Sequence, residues 1–136
     1  MSSPYPLSPL TLLKLGGSLI TDKTCPHTPR PEVLTRLAEE IATARQAQPG
    51  MRLLLGHGSG SFGHVPAQKY GTRQGVHAPD QWLGFVEVWR EAAALHHLVM
   101  EALASAGVPA VSFPPSASVM AASGQVASWN LSPLTA

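Results

Sequence analysis

Leu10-Thr11-Leu12-Leu13-Lys14-Leu15, followed at once by Gly16-Gly17-Ser18, is the stretch that decides the fold class. A short apolar run of strand-compatible residues that stops at glycine reads as a buried strand entering a glycine turn. The pattern returns at Met51-Arg52-Leu53-Leu54-Leu55, which breaks into Gly56-His57-Gly58-Ser59-Gly60-Ser61-Phe62-Gly63-His64. Between the two runs lie a Pro- and Thr-containing loop, Thr21 to Arg30, and an amphipathic segment. Pro31 suits the first position of a helix. Val33, Leu34, Leu37, Ala38 and Ile41 then share one face, Glu39 and Glu40 turn outward, and Pro49-Gly50 ends the unit. Strand, helix, strand predicts a βαβ unit with a parallel sheet. Both glycine turns then lie at the carboxyl ends of the strands, where ligands gather in such folds.

Further along, Pro79-Asp80 opens a long predicted helix. Trp82, Phe85, Val86, Trp89, Ala93, His96, Met100 and Leu103 recur at steps of three and four, and Gly107 supplies the stop. The aromatic-aliphatic stripe Trp82, Phe85, Val86 and Trp89 reads first as ordinary core. Val108-Pro109-Ala110-Val111-Ser112-Phe113 is expected to form a third strand with Pro109 near its start. Pro114-Pro115-Ser116 is a loop, and the segment from Ser123-Gly124 to Trp129-Asn130 is expected to form a hairpin.

The 136 residues have room for one modest domain with one core, and 44% hydrophobic against 12% charged residues is the balance of a globular chain. Nine Lys and Arg against eight Asp and Glu leave no concentrated positive surface. That argues against nucleic acid or a polybasic membrane contact as partner. Cys25 is the only cysteine and cannot form an internal disulfide. Residues 1–9 are Pro- and Ser-rich, lack the basic and apolar regions of a signal peptide, and read as a flexible tail. No apolar stretch approaches the roughly 20 residues of a spanning helix, and the expected location is the cytoplasm.

The glycine loops carry the chemistry. Gly58, Gly60 and Gly63 satisfy the dinucleotide spacing G-x-G-x-x-G, with Asp80 about 20 residues on. A dinucleotide reading requires a helix to open at the third glycine, whereas Pro66 interrupts soon after His64, and it leaves Lys14, Gly16 and Gly17 unexplained. Neither loop ends in Gly-Lys-Ser/Thr, so the Walker lysine and magnesium-binding hydroxyl are absent. Read together, the loops say more. Glycines let backbone N–H groups approach anionic oxygens, and two such nests on neighbouring strands can hold two phosphates face to face. Phosphoryl transfer needs that arrangement, because its catalysis is mostly positioning and charge neutralisation. Lys14 and Lys23 are the candidate neutralisers.

Lys14-Leu15-Gly16-Gly17-Ser18 followed by Ile20-Thr21-Asp22-Lys23 resembles the opening motif of the amino acid kinase superfamily. The loop from His57 to His64, then Ala67-Gln68-Lys69-Tyr70-Gly71 and Pro115-Ser116, resemble the isopentenyl phosphate kinases in particular. The resemblance implies a three-layer αβα sandwich with a mostly parallel sheet, of which residues 10–136 form the N-terminal, acceptor-phosphate-binding part. The second half of such enzymes, with its acidic segment and a lysine near Gly-Gly-Met, has no counterpart here. The implied reaction moves the γ-phosphoryl group of ATP, accompanied by Mg²⁺, to isopentenyl phosphate; the alternatives are another small-molecule kinase of the superfamily, or a non-catalytic phosphate-binding fragment of such an enzyme. Lys14 would contact the terminal phosphates, with Gly16, Gly17 and Ser18 as backbone donors, and Lys23 would stabilise transition-state charge. Gly58, Ser59 (where the family usually has glycine), Gly60 and Gly63 would frame the acceptor phosphate, and His64 would bind it. A phosphate monoester carries about −1.5 to −2 charge at pH 7, which favours a charge-assisted bond from an imidazolium. The wall of the pocket for the isoprenoid tail falls on the long helix, with Phe85 and Trp89 as candidates. The family also implies a possible homodimer. His57 is read as a support of its loop. His96 and His97, adjacent on a helix, point different ways and share no metal site. His27 and His77 are unassigned, and no residue is nominated as a metal ligand.

Overall fold

The computed structural model describes residues 9–132. The N-terminal tail reading therefore lies almost wholly outside the described residues, as does the end of the chain from 133 to 136. Strand β1 (Leu10–Leu15) leads through Gly16 into the short helix α1 (Gly17–Ile20). Helix α2 (Pro31–Ala47) follows, with Pro31 at its first turn as expected, and returns the chain to β2 (Arg52–His57). The two strands pair in parallel, Leu13 opposite Leu55, Lys14 opposite Gly56 and Leu15 opposite His57, so the βαβ reading holds.

Side chains alternate across a strand, which divides this sheet into two unlike faces. Leu15, Leu53 and Leu55 join Leu34, Ala38 and Ile41 of α2 and Leu95, Val99 and Leu103 of the long helix α4 (Trp82–Ser105) in one core. His57 belongs to this covered face. Lys14, Leu12 and Leu10 belong to the other, where Leu12 is 71% exposed. The expectation of a fully buried first strand is corrected here: of β1 only Leu15 is buried, because the helices of the described residues pack on one side of the sheet.

Three further expectations need correction. Pro66 does not stop the chain from forming a helix after the second glycine loop. Helix α3 (Gly60–Tyr70) runs through it and ends at Gly71, whose left-handed backbone (φ 60°) places its N–H on the carbonyls of Ala67 and Gln68. Pro66 forfeits one helical bond, but it is buried, and α3 packs so closely on α4 that a Cβ at Gly84 would lie 2.4 Å from the Tyr70 side chain. Packing outweighs local propensity here.

The α4 stripe is the second correction. Trp82, Phe85, Val86 and Trp89 are all about half exposed, while Gly84, Leu95, Val99 and Leu103 face inward. The buried face is rotated from the aromatic one because Gly84 is the residue small enough to meet α3.

The third strand is also absent. Gly107 (φ 73°) and Val108 close α4, with Gly107 N–H on the Ala104 carbonyl and Val108 N–H on that of Leu103. Val108 and Leu103 are both buried, which completes a Schellman stop. Beyond it the segment to Phe113 finds no ladder partner among the described residues, and Val111 is 96% exposed. The expected hairpin is present: β3 (Val119–Ala122) and β4 (Gln125–Trp129) pair antiparallel around Ser123 and Gly124. Both turn residues have positive φ, 51° and 73°, as a two-residue type I′ turn requires.

Candidate functional site

The two glycine loops interlock backbone to backbone. Gly58 N–H donates to the Leu15 carbonyl at 3.0 Å, which carries the β1–β2 pairing past the strand ends into the loops. A Cβ on Gly17 would sit 2.5 Å from the nitrogen of Gly60, and one on Gly58 would sit 2.9 Å from the nitrogen of Gly17. Neither position accepts a side chain, so glycine is needed for close approach at both.

Thr21 is the pin through this crossing. Its side chain is fully buried; Oγ1 donates to the Gly17 carbonyl at 2.7 Å and accepts from Ser61 N–H at 2.9 Å. Gly60 lies against it in the left-handed region (φ 52°), where a Cβ would fall 2.0 Å from Oγ1. The Ser61 hydroxyl in turn donates to the Thr28 carbonyl at 3.3 Å and accepts the Thr28 N–H at 3.2 Å, and Ser61 O accepts His27 N–H. These bonds fold the Thr21–Arg30 loop back over the start of α3, and Asp22 N–H closes it on the Thr28 carbonyl. Asp22 caps the next turn through Thr24, whose hydroxyl and N–H bonds hold its carboxyl below the usual carboxylate range. At its tip His27 pairs with Glu91 of α4 and lies 4.2 Å, centroid to centroid, from the Phe62 ring.

A cavity of about 290 Å³ opens under this loop, lined by Lys23, Thr24, Pro26, Gly60, Ser61, His64 and Val65. Lys23 and His64 are thus brought together with the second glycine loop, although 41 positions apart in sequence. Both side chains are exposed and neither has a hydrogen-bond or ion-pair partner among the described residues. Backbone donors stand close by. Gly17 and Ser18 at the start of α1, and Gly60 at the start of α3, have no acceptor within their own helices, whereas Ser61 N–H is taken by Thr21 and Phe62 N–H by the Ser59 carbonyl. Gly63 packs on the Ser59 side chain, where a Cβ would lie 2.7 Å from Oγ.

Other nominated residues lie apart from this cavity. Lys14 is on the opposite sheet face from His57, exposed, with no side-chain partner among the described residues. Phe85 and Trp89 do not line the cavity and stand half exposed on α4. No group of three or more His, Cys, Asp or Glu able to hold a metal ion occurs among the described residues. His97 pairs with Glu101 at 3.1 Å while His96 turns inward, so the two diverge as adjacent helical residues should. His57 Nε2 lies 3.0 Å from His96 Nδ1. Burial first, then the proximity of His57 and His97, holds the His96 pKa below its ordinary value.

Sequence reasoning passed over Thr21, Ser61 and the His57–His96 contact. Thr21 left one usable trace: a Thr four residues after Gly17 can return its hydroxyl to that carbonyl. No helix of the described residues is long and apolar enough to cross a membrane.

Known proteins are similar to this chain in sequence and fold. A profile of the amino acid kinase family matches residues 9–135. The isopentenyl phosphate kinase of Methanocaldococcus jannaschii is 35% identical over 120 residues, covering 82% of this chain and 45% of that protein. The isopentenyl phosphate kinase of Methanothermobacter thermautotrophicus is 34% identical over 129 residues, 90% of this chain and 47% of its own length. Among solved structures, an isopentenyl phosphate kinase superposes with a TM-score of 0.82 at 32% identity, over 93% of this chain and 52% of that one. A product complex of the T. acidophilum isopentenyl phosphate kinase gives 0.77 at 27% identity, over 94% of this chain and 50% of that one. The chain spans about half the length of the relatives it matches. With the family profile running through both glycine loops and every described element, the chain belongs to the amino acid kinase family.

Proposed function

We propose that this chain is the acceptor-side part of a kinase that transfers the γ-phosphoryl group of ATP to isopentenyl phosphate. The observation that carries the reading is the joint placement of Lys23, His64 and the Gly60 backbone on one cavity, with both side chains unpartnered among the described residues. A monophosphate suits such a site better than a carboxylate, because its second charge and extra oxygens can engage lysine, imidazolium and backbone donors together. The curated relatives named isopentenyl phosphate kinase support the choice of acceptor.

The acceptor oxygen is already ionised, so it attacks γ-phosphorus without a general base, and the bond from γ-phosphorus to the bridging oxygen of ADP breaks. Lys23 and the amides of the glycine loops would neutralise charge on the moving group, and His64 would hold the acceptor's phosphate. Lys14, with Gly16, Gly17 and Ser18, would face the nucleotide's phosphates. Mg²⁺ accompanying ATP would supply further neutralisation of phosphate charge, beside the part given to Lys14, Lys23 and the backbone amides.

The test is binding of isopentenyl phosphate to the 136-residue chain and to its His64→Ala variant, with ADP release from ATP followed in parallel. Loss of one charge-assisted bond should weaken binding about tenfold or more. Equal affinity in the two proteins would remove His64 from the site. Turnover that collapses in the variant would make this chain a kinase by itself, and His64-dependent binding without turnover would make it an acceptor-binding unit.

A further inference from the structure

His57 and His96 meet edge to edge where β2 ends against α4, their rings nearly parallel with centroids 5.3 Å apart. Each outer nitrogen also has a partner: His57 Nδ1 lies 3.2 Å from the Gly58 carbonyl oxygen, and His96 Nε2 lies 2.8 Å from Ser112 Oγ. The donor directions follow from chemistry. A carbonyl only accepts, so His57 carries its hydrogen on Nδ1 and, when neutral, accepts at Nε2. His96 must then donate from Nδ1, which leaves its Nε2 to accept from the Ser112 hydroxyl. The neutral pair thus makes a one-way chain of hydrogen bonds from Ser112 through His96 and His57 to Gly58, and the partial burial of His96 favours its neutral form.

The end of that chain matters because of peptide geometry. The Gly58 carbonyl and the Ser59 N–H belong to one planar trans peptide and point in opposite directions. Gly58 must be glycine to pass Gly17, and a glycine leaves its following peptide free to turn. Ser59 N–H has no acceptor among the described residues. A bond that fixes the carbonyl therefore also fixes the direction of an unoccupied donor in the second glycine loop.

We propose that His57 and His96 are positioning residues that lock the Gly58–Ser59 peptide, so that the Ser59 N–H is held ready for a phosphate oxygen. The inference rests on the reading of the glycine loop as the acceptor-phosphate site. It adds to that reading two histidines and a serine that touch no substrate, and it extends the site's construction to α4 and to the segment that follows it.

The experiment is a titration of the full chain with inorganic phosphate, followed by the amide resonance of Ser59. In the wild type this resonance should shift on binding. His57→Ala and His96→Ala should weaken the binding about tenfold and reduce the shift of Ser59. His96→Gln, whose side-chain amide can donate to His57 Nε2, should restore most of both, which a merely space-filling role would not do. His96→Leu, apolar and close in volume, replaces any alanine variant that unfolds and should behave as that variant would. A wild-type Ser59 that ignores phosphate overturns the phosphate-loop reading and the lock with it. A Ser59 that responds alike in the wild type and in the variants lacking the relay overturns the lock alone.

Discussion

The hydroxyl of Thr21 holds two elements at once, donating to Gly17 of α1 and accepting from Ser61 of α3, with no access to water. Its neighbours are shaped around it, since the left-handed Gly60 leaves no room for a Cβ between Oγ1 and the Gly17 carbonyl. Thr21→Val keeps the shape and removes both hydroxyl bonds; the Gly17 carbonyl retains the backbone N–H of residue 21 at 3.0 Å, but the Ser61 N–H is left without an acceptor. An unsatisfied buried N–H costs about 1–3 kcal/mol and the lost bond to the carbonyl about 1 kcal/mol more, so the variant should lose about 2–4 kcal/mol in urea unfolding. Thr21→Ser keeps the hydroxyl and should lose about 1 kcal/mol, the value of one buried methyl group. If Val proves as stable as Ser, the hydroxyl is not what joins the loops. The glycines of this site were legible in the sequence because several glycines directly after a strand mark a sharp turn or a close backbone approach. Thr21 was not, because a threonine in a loop looks the same whether its hydroxyl meets water or crosses a backbone junction.

Among the elements, α4 shows where a periodic pattern informs and where it misleads. Steps of three and four correctly announced a long helix ending at Gly107, but they marked two stripes, and the larger side chains drew attention to the exposed one. Which stripe is buried depends on what packs opposite, and that is set by Gly84 against Tyr70, a contact 14 positions apart in sequence that no periodicity encodes. The consequence is measurable. Leu95 is wholly buried, and Leu95→Ala should destabilise the chain by about 2–5 kcal/mol. Trp89, 52% exposed, should cost less than about 1 kcal/mol as Trp89→Ala, despite being the larger truncation. Equal losses in thermal unfolding would mean that the aromatic stripe carries core packing after all. The missing third strand has a similar origin. Residues Val108 to Phe113 have strand composition, but a strand exists only with a neighbour, and the Schellman stop at Gly107 directs them to none among the described residues.

At the scale of the whole molecule, the uneven sheet is the dominant feature. Helices α2 and α4 cover one face, and the other presents Leu10 at 52% and Leu12 at 71% exposure, beside the outer edge of a two-stranded sheet. Apolar residues next to unpaired strand edges promote association, and among the described residues the two parallel strands have one unpaired edge each. This exposure is that of the described residues. Replacing both leucines with threonine introduces β-branched, strand-compatible side chains while removing most of the apolar area. The double variant Leu10→Thr/Leu12→Thr should bind an apolar dye less strongly and sediment more uniformly at high concentration than the wild type. Its unfolding free energy should stay within about 1 kcal/mol, because surface substitutions away from packed contacts are usually near neutral. Lys14 lies on this same face, so the variant has a second use. If dye binding falls while the unfolding free energy holds, the face is an exposed surface on a folded chain. If the variant unfolds instead, Leu10 and Leu12 are packed in solution, and the face that carries Lys14 is covered rather than open.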